Sequence, residues 1–396
     1  MQIIISKSED FTMKTPETSR LFTKVIDPES GVPHYVLTER KVAYQQGFYF
    51  VNNSMSRDGR YLWFYAVPNP VYNTMDRNLG YVDFLTDEVV ICYDVLFDDA
   101  SPYVDPDTGD VYYTRGRKIY KREPGKDRTA KVICSVNIPG YILKLATHLT
   151  MTSDKMHFFL DINRVDFGCM QGLVDIETGK FTEWTRSEHN TNHGQINPKN
   201  DRLGLCAYDA WNRMSDGSKV SIPYTEDGIY QRLWTVTPEG ERKMHPAMHN
   251  YATHEWWSAD GKKIYYCCDK HGIYGKNIET GEDITILEGV DPWHAHCTAD
   301  ESLFIYDEKK LERYCGKWYR GCPAALNFLN RRTGRRLVVV TEMPENSFTP
   351  DNQTTYHIDP HPRFSENEKY VIFSTTELGG CDLAVASVEE LVALTK

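Results

Sequence analysis

The chain has 396 residues, of which 40% are hydrophobic and 12% aromatic, and carries a formal net charge of −11. That balance argues against duplex nucleic acid as a partner, because phosphate contacts call for a basic surface. No apolar run reaches the roughly eighteen residues of a membrane-spanning helix. The opening Met1–Lys7 stretch is too short for a signal peptide, which leaves the cytoplasm or periplasm as the expected location.

A strand is expected over Tyr35–Val42, supplying the closure of a ring. A repeat begins after it. Seven times a polar residue stands six positions ahead of a turn residue, and a short hydrophobic strand follows. The polar positions are Asn52, Ser101, His148, His193, His254, His294 and His361, spaced 40 to 67 residues apart. Their turn residues are Asp58, Asp107, Asp154, Lys199, Asp260, Asp300 and Asn367. Gly turns recur downstream, at Gly179, Gly240, Gly281 and Gly334, between strand-like runs. A strand-rich repeat of this length predicts an all-β fold, a seven-bladed β-propeller spanning residues 1–396 as a single domain. Its blades start near the seven polar positions. The ten cysteines form no C-x-x-C pair, and adjacent Cys267 and Cys268 point to opposite faces of a strand, so no disulfide joins them.

Five of the seven equivalent positions are histidine. One histidine alone reads as a satisfied, partly buried polar residue. Five at one repeat position form a ring about the axis and read as a site. Imidazole is the side chain best poised as a base near neutral pH, and it is a common metal ligand. Gln353, His357, Asp359 and His361 crowd the stretch before the last blade, and His294 and His296 could share a face if their strand is extended. Mixed imidazole and oxygen donors suit Mn²⁺, Fe²⁺ or Zn²⁺, and more oxygen favours Ca²⁺.

Several ordered stretches resemble the oligogalacturonate lyases. They are Thr253-His-Glu-Trp-Trp-Ser-Ala-Asp-Gly261, Arg232-Leu-Trp-Thr-Val-Thr-Pro-Glu-Gly240, His193-Gly-Gln-Ile-Asn-Pro198, and Gln353 with His361-Pro-Arg-Phe364. The likeness extends over about half the chain. It implies a seven-bladed propeller that cleaves a uronate-containing oligosaccharide by metal-assisted β-elimination. By the same resemblance His254 is the base, Arg232 binds the substrate carboxylate, and His294, Gln353 and His361 hold a divalent cation, Mn²⁺ or Ca²⁺. His193 and His148 are candidates to protonate the leaving oxygen or to hold hydroxyls. Trp256, Trp257, Trp293 and Tyr356 flank the site in sequence, with Trp256 expected to touch substrate; sugar stacking is one reading of these rings, and inter-blade packing is the reading for at least two of them.

Two departures stand out. The family's compact H-P-H becomes His357-Ile-Asp359-Pro-His361, so His357 or Asp359 is the middle ligand. A family C-H-E-G becomes Cys206-Ala-Tyr208-Asp209, a loop expected to touch substrate. Related propellers act on L-rhamnose-α-1,4-D-glucuronate caps of arabinogalactan, either as lyases or as α-L-rhamnosidases. A hydrolase is therefore the alternative reading. The early segment Ala43-Tyr-Gln45-Gln46 offers glutamine where such a rhamnosidase uses histidine. The absence of an evident carboxylate pair near the histidines also favours elimination. A propeller that only binds a glycan or protein is the third reading, since fold alone does not fix function. Nothing in the sequence fixes the oligomeric state.

Overall fold

A computed structural model describes residues 12–68, 77–97, 100–164, 168–187, 190–208, 212–213, 219–220, 225–309, 324–344 and 358–396. Seven antiparallel sheets form the blades of a β-propeller. The first blade comprises Tyr44–Gln46, Tyr61–Val67, Arg77–Asp83 and Glu88–Phe97. The second comprises Tyr103–Val104, Val111–Arg115, Lys118–Arg122 and Lys131–Ser135. The third is built on His157–Arg164, Cys169–Asp175 and Phe181–Ser187, with Thr150–Met151 and Ile142–Lys144 on its inner side. The fourth takes Thr191–Asn197, Asn200–Tyr208, Leu233–Val236 and Arg242–His245. The fifth takes Ala252–Trp257, Lys263–Cys268, Gly272–Asn277 and Asp283–Glu288, and the sixth Pro292–Cys297, Leu303–Lys309, Ala324–Asn330 and Arg335–Met343.

The seventh blade closes the ring. Its Arg363–Phe364, Tyr370–Thr375 and Asp382–Ser387 strands are joined by N-terminal Pro33–Leu37, where Tyr35 faces Val385 and Val36 faces Ala384. A second N-terminal strand, Phe22–Ile26, lies outside it. Closure thus uses two strands, the inner one ending at Leu37 and not at Val42. Leu37 is fully buried whereas the next residues, Glu39 and Arg40, are polar, so the apolar alternation that sustains a strand stops there.

The repeat has a structural cause. Ser56, Thr152, Ser258, Thr298 and Ser365 each donate a hydroxyl to the side-chain oxygen of Asp58, Asp154, Asp260, Asp300 or Asn367 two residues on. The same oxygens accept the amides of Arg60, Met156, Lys262, Ser302 and Lys369. Each is a self-satisfied turn that sends the chain into the second strand of its blade. Apolar faces of neighbouring blades then pack on one another, as when Phe64, Leu62 and Val82 of the first blade meet Leu383, Val385 and Ile372 of the seventh. The eight described cysteines, Cys267 and Cys268 among them, are buried, and no disulfide joins any of them.

A candidate active site in the histidine ring

Three of the five ring histidines sit in strained backbone. His193, His254 and His361 have φ of 53°, 50° and 47°. The ladder between the first two strands shifts register between Asn192 and Gln195, between Thr253 and Trp256, and between Pro292 and Ala295. These bulges interrupt the pleat at His193, His254 and His294 and re-aim those side chains, the use to which bulges near functional sites are put. Left-handed backbone in a residue other than glycine, asparagine or aspartate costs about 1–2 kcal/mol and persists only where its surroundings enforce it.

The five imidazoles converge. Ring centroids lie 5.3 Å apart for His148 and His193, 5.9 Å for His193 and His254, 4.2 Å for His254 and His294, and 4.4 Å for His294 and His361. At their centre is Tyr49, a residue that sequence reasoning missed. Its ring is 4.7 to 6.5 Å from all five imidazoles. Tyr49 belongs to a segment between strand Tyr44–Gln46 and Met55, which bridges Leu62, so that it interrupts the innermost strand of the first blade. The inner side of the third blade is interrupted likewise, between Ile142–Lys144 and Thr150–Met151, but Tyr49 stands off the repeat position, so the repeat did not reveal it. Burial, with the Glu255 charge second, pushes the Tyr49 phenol well above its ordinary value and keeps it protonated.

The two remaining repeat positions brace the ring. Asn52 donates from Nδ2 to the Leu149 carbonyl at 2.9 Å, and Ser101 bridges His148 through backbone bonds to Thr147 and Leu149.

Behind His193 and His254 lies a charge network. His193 Nδ1 is 2.8 Å from Glu255 Oε1, and Arg232 Nε donates to Glu255 Oε2 at 3.1 Å. Arg232 Nη2 also approaches His193 Nδ1 to 3.3 Å. A neutral imidazole has one N–H. The shorter contact assigns it to Nδ1, donating to Glu255, and the arginine contact is a close approach only. Nε2 then accepts from the Tyr49 hydroxyl at 3.4 Å. Glu255 is fully buried. Burial raises its pKa, but the Arg232 charge and His193 outweigh this and hold it at about 2. Burial, then the neighbouring His294, His193 and Arg232, pushes His254 well below the ordinary imidazole range. His254 is therefore neutral near pH 7, and its Nδ1 has no hydrogen-bond partner among the described residues. His148 is held neutral in the same way, by burial and then His193.

On the other side of the ring, His294, Asp359 and His361 place one donor atom each within 4.8 Å of one another. Asp307 accepts the backbone N–H of His294 at 2.6 Å and its Nδ1 at 2.8 Å. That fixes the tautomer with Nε2 bare, and Nε2 is buried with no hydrogen-bond partner among the described residues. A carboxylate–histidine pair with the second nitrogen open is the arrangement that metal sites use to orient a ligand. The donor set therefore fits a divalent cation.

Of the other residues expected at the site, Gln353, Tyr356, His357 and Asp209 lie outside the described residues. Trp256 is 2% exposed and packs between Phe50 and Tyr265, so it is part of an inter-blade core and offers no stacking face to the ring. Its strand passes the bulge and returns to regular pleating there. Tyr208, at the end of its strand, is likewise buried. His296 does not join His294: two residues further down the strand, it meets Phe364. The ring does have carboxylates nearby: Asp359 among the metal-type donors, and Glu255 and Asp307, each behind a histidine that it orients.

No family model matches the sequence, and no curated protein matches it. Solved structures do. An oligogalacturonate lyase in complex with manganese superposes with a TM-score of 0.73 at 19% identity, covering 94% of this chain and 97% of its own. The oligogalacturonate lyase from Vibrio parahaemolyticus gives a TM-score of 0.70 at 18% identity, covering 93% and 96%. The chain therefore shares, over nearly its whole length, the seven-bladed propeller fold of the oligogalacturonate lyases.

Proposed function

We propose that the protein is a carbohydrate lyase that cleaves a 4-linked uronate oligosaccharide, oligogalacturonate in the first instance, by β-elimination. The observation that carries this reading is a buried neutral imidazole, His254, beside the Arg232–Glu255 pair on one side and the His294–Asp359–His361 donors on the other. The uronate C5 proton lies α to a carboxylate and is a very weak acid. Its removal needs a base, and positive charge placed at that carboxylate.

His254 is assigned as the base. A positioned general base contributes about 10²–10⁴-fold. Arg232, held by Glu255, is assigned to the substrate carboxylate. His294, Asp359 and His361, with Gln353 and His357 as further candidates, would hold a divalent cation. Bound there, such an ion supplies Lewis-acid stabilisation of charge developing on the carboxylate. The likeness to a manganese-bound lyase supports Mn²⁺. As the C5–H pair forms the C4–C5 double bond, the C4–O bond breaks and the leaving oxygen takes a proton. Tyr49 and His193, joined by a hydrogen bond, are assigned to that proton. The test is incubation with oligogalacturonate and Mn²⁺. Elimination gives an unsaturated product that absorbs in the ultraviolet, without incorporation of solvent oxygen. A saturated product carrying solvent oxygen would mean hydrolysis and overturn the reading.

A further inference from the structure

A cavity opens at the far end of the same inner strands. From the histidine ring the chain runs on from His193 to Pro198, from His254 to Ser258, from His294 to Thr298 and from His361 to Ser365, and all four runs end in its wall. At about 3.3 Å per strand residue, positions two beyond the ring lie roughly 6–7 Å deeper. Phe50 stands between the ring and the wall of this cavity. It is fully buried, with its ring 5.4 Å from His294 on one side and 6.2 Å from Trp256 on the other. The cavity measures about 450 Å³, within the size range of small-molecule sites.

Its polar wall has an imbalance. Trp257 Nε1 is engaged by the Gln195 carbonyl, Gln195 Nε2 by the Glu255 carbonyl, and Thr150 Oγ1 by the Ile196 amide. Other groups are not, among the described residues. Arg363 donates Nη1 to the Phe50 and Val51 carbonyls at 3.2 and 2.8 Å, but its Nε is buried without a hydrogen-bond partner among them. No carboxylate pairs with this arginine among the described residues. Glu368 accepts the Ala299 amide, and Glu366 lies 3.5 Å from Arg57. His296 Nδ1 is also buried without a hydrogen-bond partner among the described residues. Arg363 and His296 are both partly buried, and together they line a space of ligand size. A buried charge is tolerated when something of opposite sign or good hydrogen-bonding geometry compensates it.

We infer that this cavity binds a small monocarboxylate of sugar-acid size, with Arg363 meeting the carboxylate, His296 donating one N–H, and the Trp256–Trp257 wall meeting the apolar face. A guanidinium suits a planar carboxylate. Glu366 and Glu368 at the wall disfavour a dianion such as phosphate by like-charge repulsion. The inference stands apart from the reading of the histidine ring and survives if that reading fails.

The experiment is calorimetric titration of the full chain with D-galacturonate, neutral D-galactose and inorganic phosphate, in the wild type, His296→Leu, Arg363→Gln and His294→Ala. Galacturonate binding should persist in His294→Ala and weaken at least about tenfold in His296→Leu and Arg363→Gln, while galactose shows no such dependence. Because Arg363 also ties down Phe50 and Val51, His296→Leu carries the test if Arg363→Gln fails to fold. Three results would overturn the inference: galacturonate binding no tighter than galactose, binding lost in His294→Ala yet kept in His296→Leu, or phosphate binding tighter than galacturonate.

Discussion

Replacing Glu255 with glutamine keeps the shape of the side chain and removes its charge. In the wild type that carboxylate accepts from His193 and Arg232, and the Arg232 side chain is only 7% exposed. The variant leaves a buried guanidinium without its counter-charge. Breaking one partner of such a pair costs about 3–5 kcal/mol. Over 396 residues the unfolding entropy is about 0.8 kcal/mol/K, so the melting temperature should fall by about 4–6 °C at pH 7. The difference should depend on pH with a definite sign. Burial raises the Glu255 pKa, the Arg232 charge and His193 outweigh it, and the result, about 2, lies below the ordinary 4.5. A depressed folded-state pKa contributes stability that is complete above 4.5 and is lost as pH falls from 4.5 towards 2. The gap between wild type and Glu255→Gln should therefore be constant above about pH 5 and close progressively below it. Scanning calorimetry of both proteins from pH 7 to about pH 3 measures this. Equal melting at pH 7, or a gap that does not narrow in acid, would refute the account of the network.

The other predictions concern single residues. His254→Ala should lower kcat at least about 10²-fold with a smaller change in KM, and steady-state kinetics on oligogalacturonate decide this. His254→Gly should be equally inactive but melt higher than His254→Ala, by an amount worth up to about 1 kcal/mol, because glycine relieves the positive φ at that position. Asp307→Ala should weaken Mn²⁺ binding about 10–100-fold, read by calorimetry, since it frees the His294 ring from its orienting carboxylate. Gly194→Ala should destabilise by about 1–3 kcal/mol and lower activity, because the added methyl would lie 2.7 Å from Asp161 Cβ and displace His193. Chemical denaturation and kinetics on that variant test both halves.

The blades and the histidine ring were legible because both follow a period. Six of the seven turns carry an aspartate or asparagine at the repeat position, Lys199 being the seventh, and the ring positions lie a fixed six residues ahead. What the period cannot carry is what occurs once. Tyr49 and Phe50 sit in an interruption of the first inner strand, ahead of the repeat position Asn52, where the period does not reach. Asp307 reaches His294 across a hairpin thirteen residues long, a distance set by strand register and invisible to local spacing. Glu255 stood inside the Thr253–Gly261 stretch, but regular alternation places it on the face opposite His254. Only the bulge between Thr253 and Trp256 lets neighbouring residues serve one network. Trp256, next along, lies past the bulge and is buried in the inter-blade core, the packing role weighed for these rings beside sugar stacking.

Strain distinguishes the part of the ring that the fold supplies from the part that chemistry requires. Nine described residues other than glycine have positive φ, and six of them lie in turns or bends, where reversal of the chain explains the conformation. His193, His254 and His361 are the other three, and each sits in or just ahead of an inner strand that could have run straight. His148 occupies the same repeat position without such a backbone, so the propeller does not demand it. Three left-handed residues cost about 1–2 kcal/mol each. The surroundings that offset this are local to the site: the Glu255 bond to His193, the Asp161 bond to the Gly194 amide, and the packing of Tyr49 against all three rings. Remove Tyr49 and that packing goes with it. Tyr49→Ala should therefore loosen the three strained histidines more than His148, which is unstrained although stacked on the same ring. Imidazole resonances followed by NMR would show line broadening at His193, His254 and His361 in the variant. Broadening confined to His148 would mean that the strained backbone is held by the strands themselves.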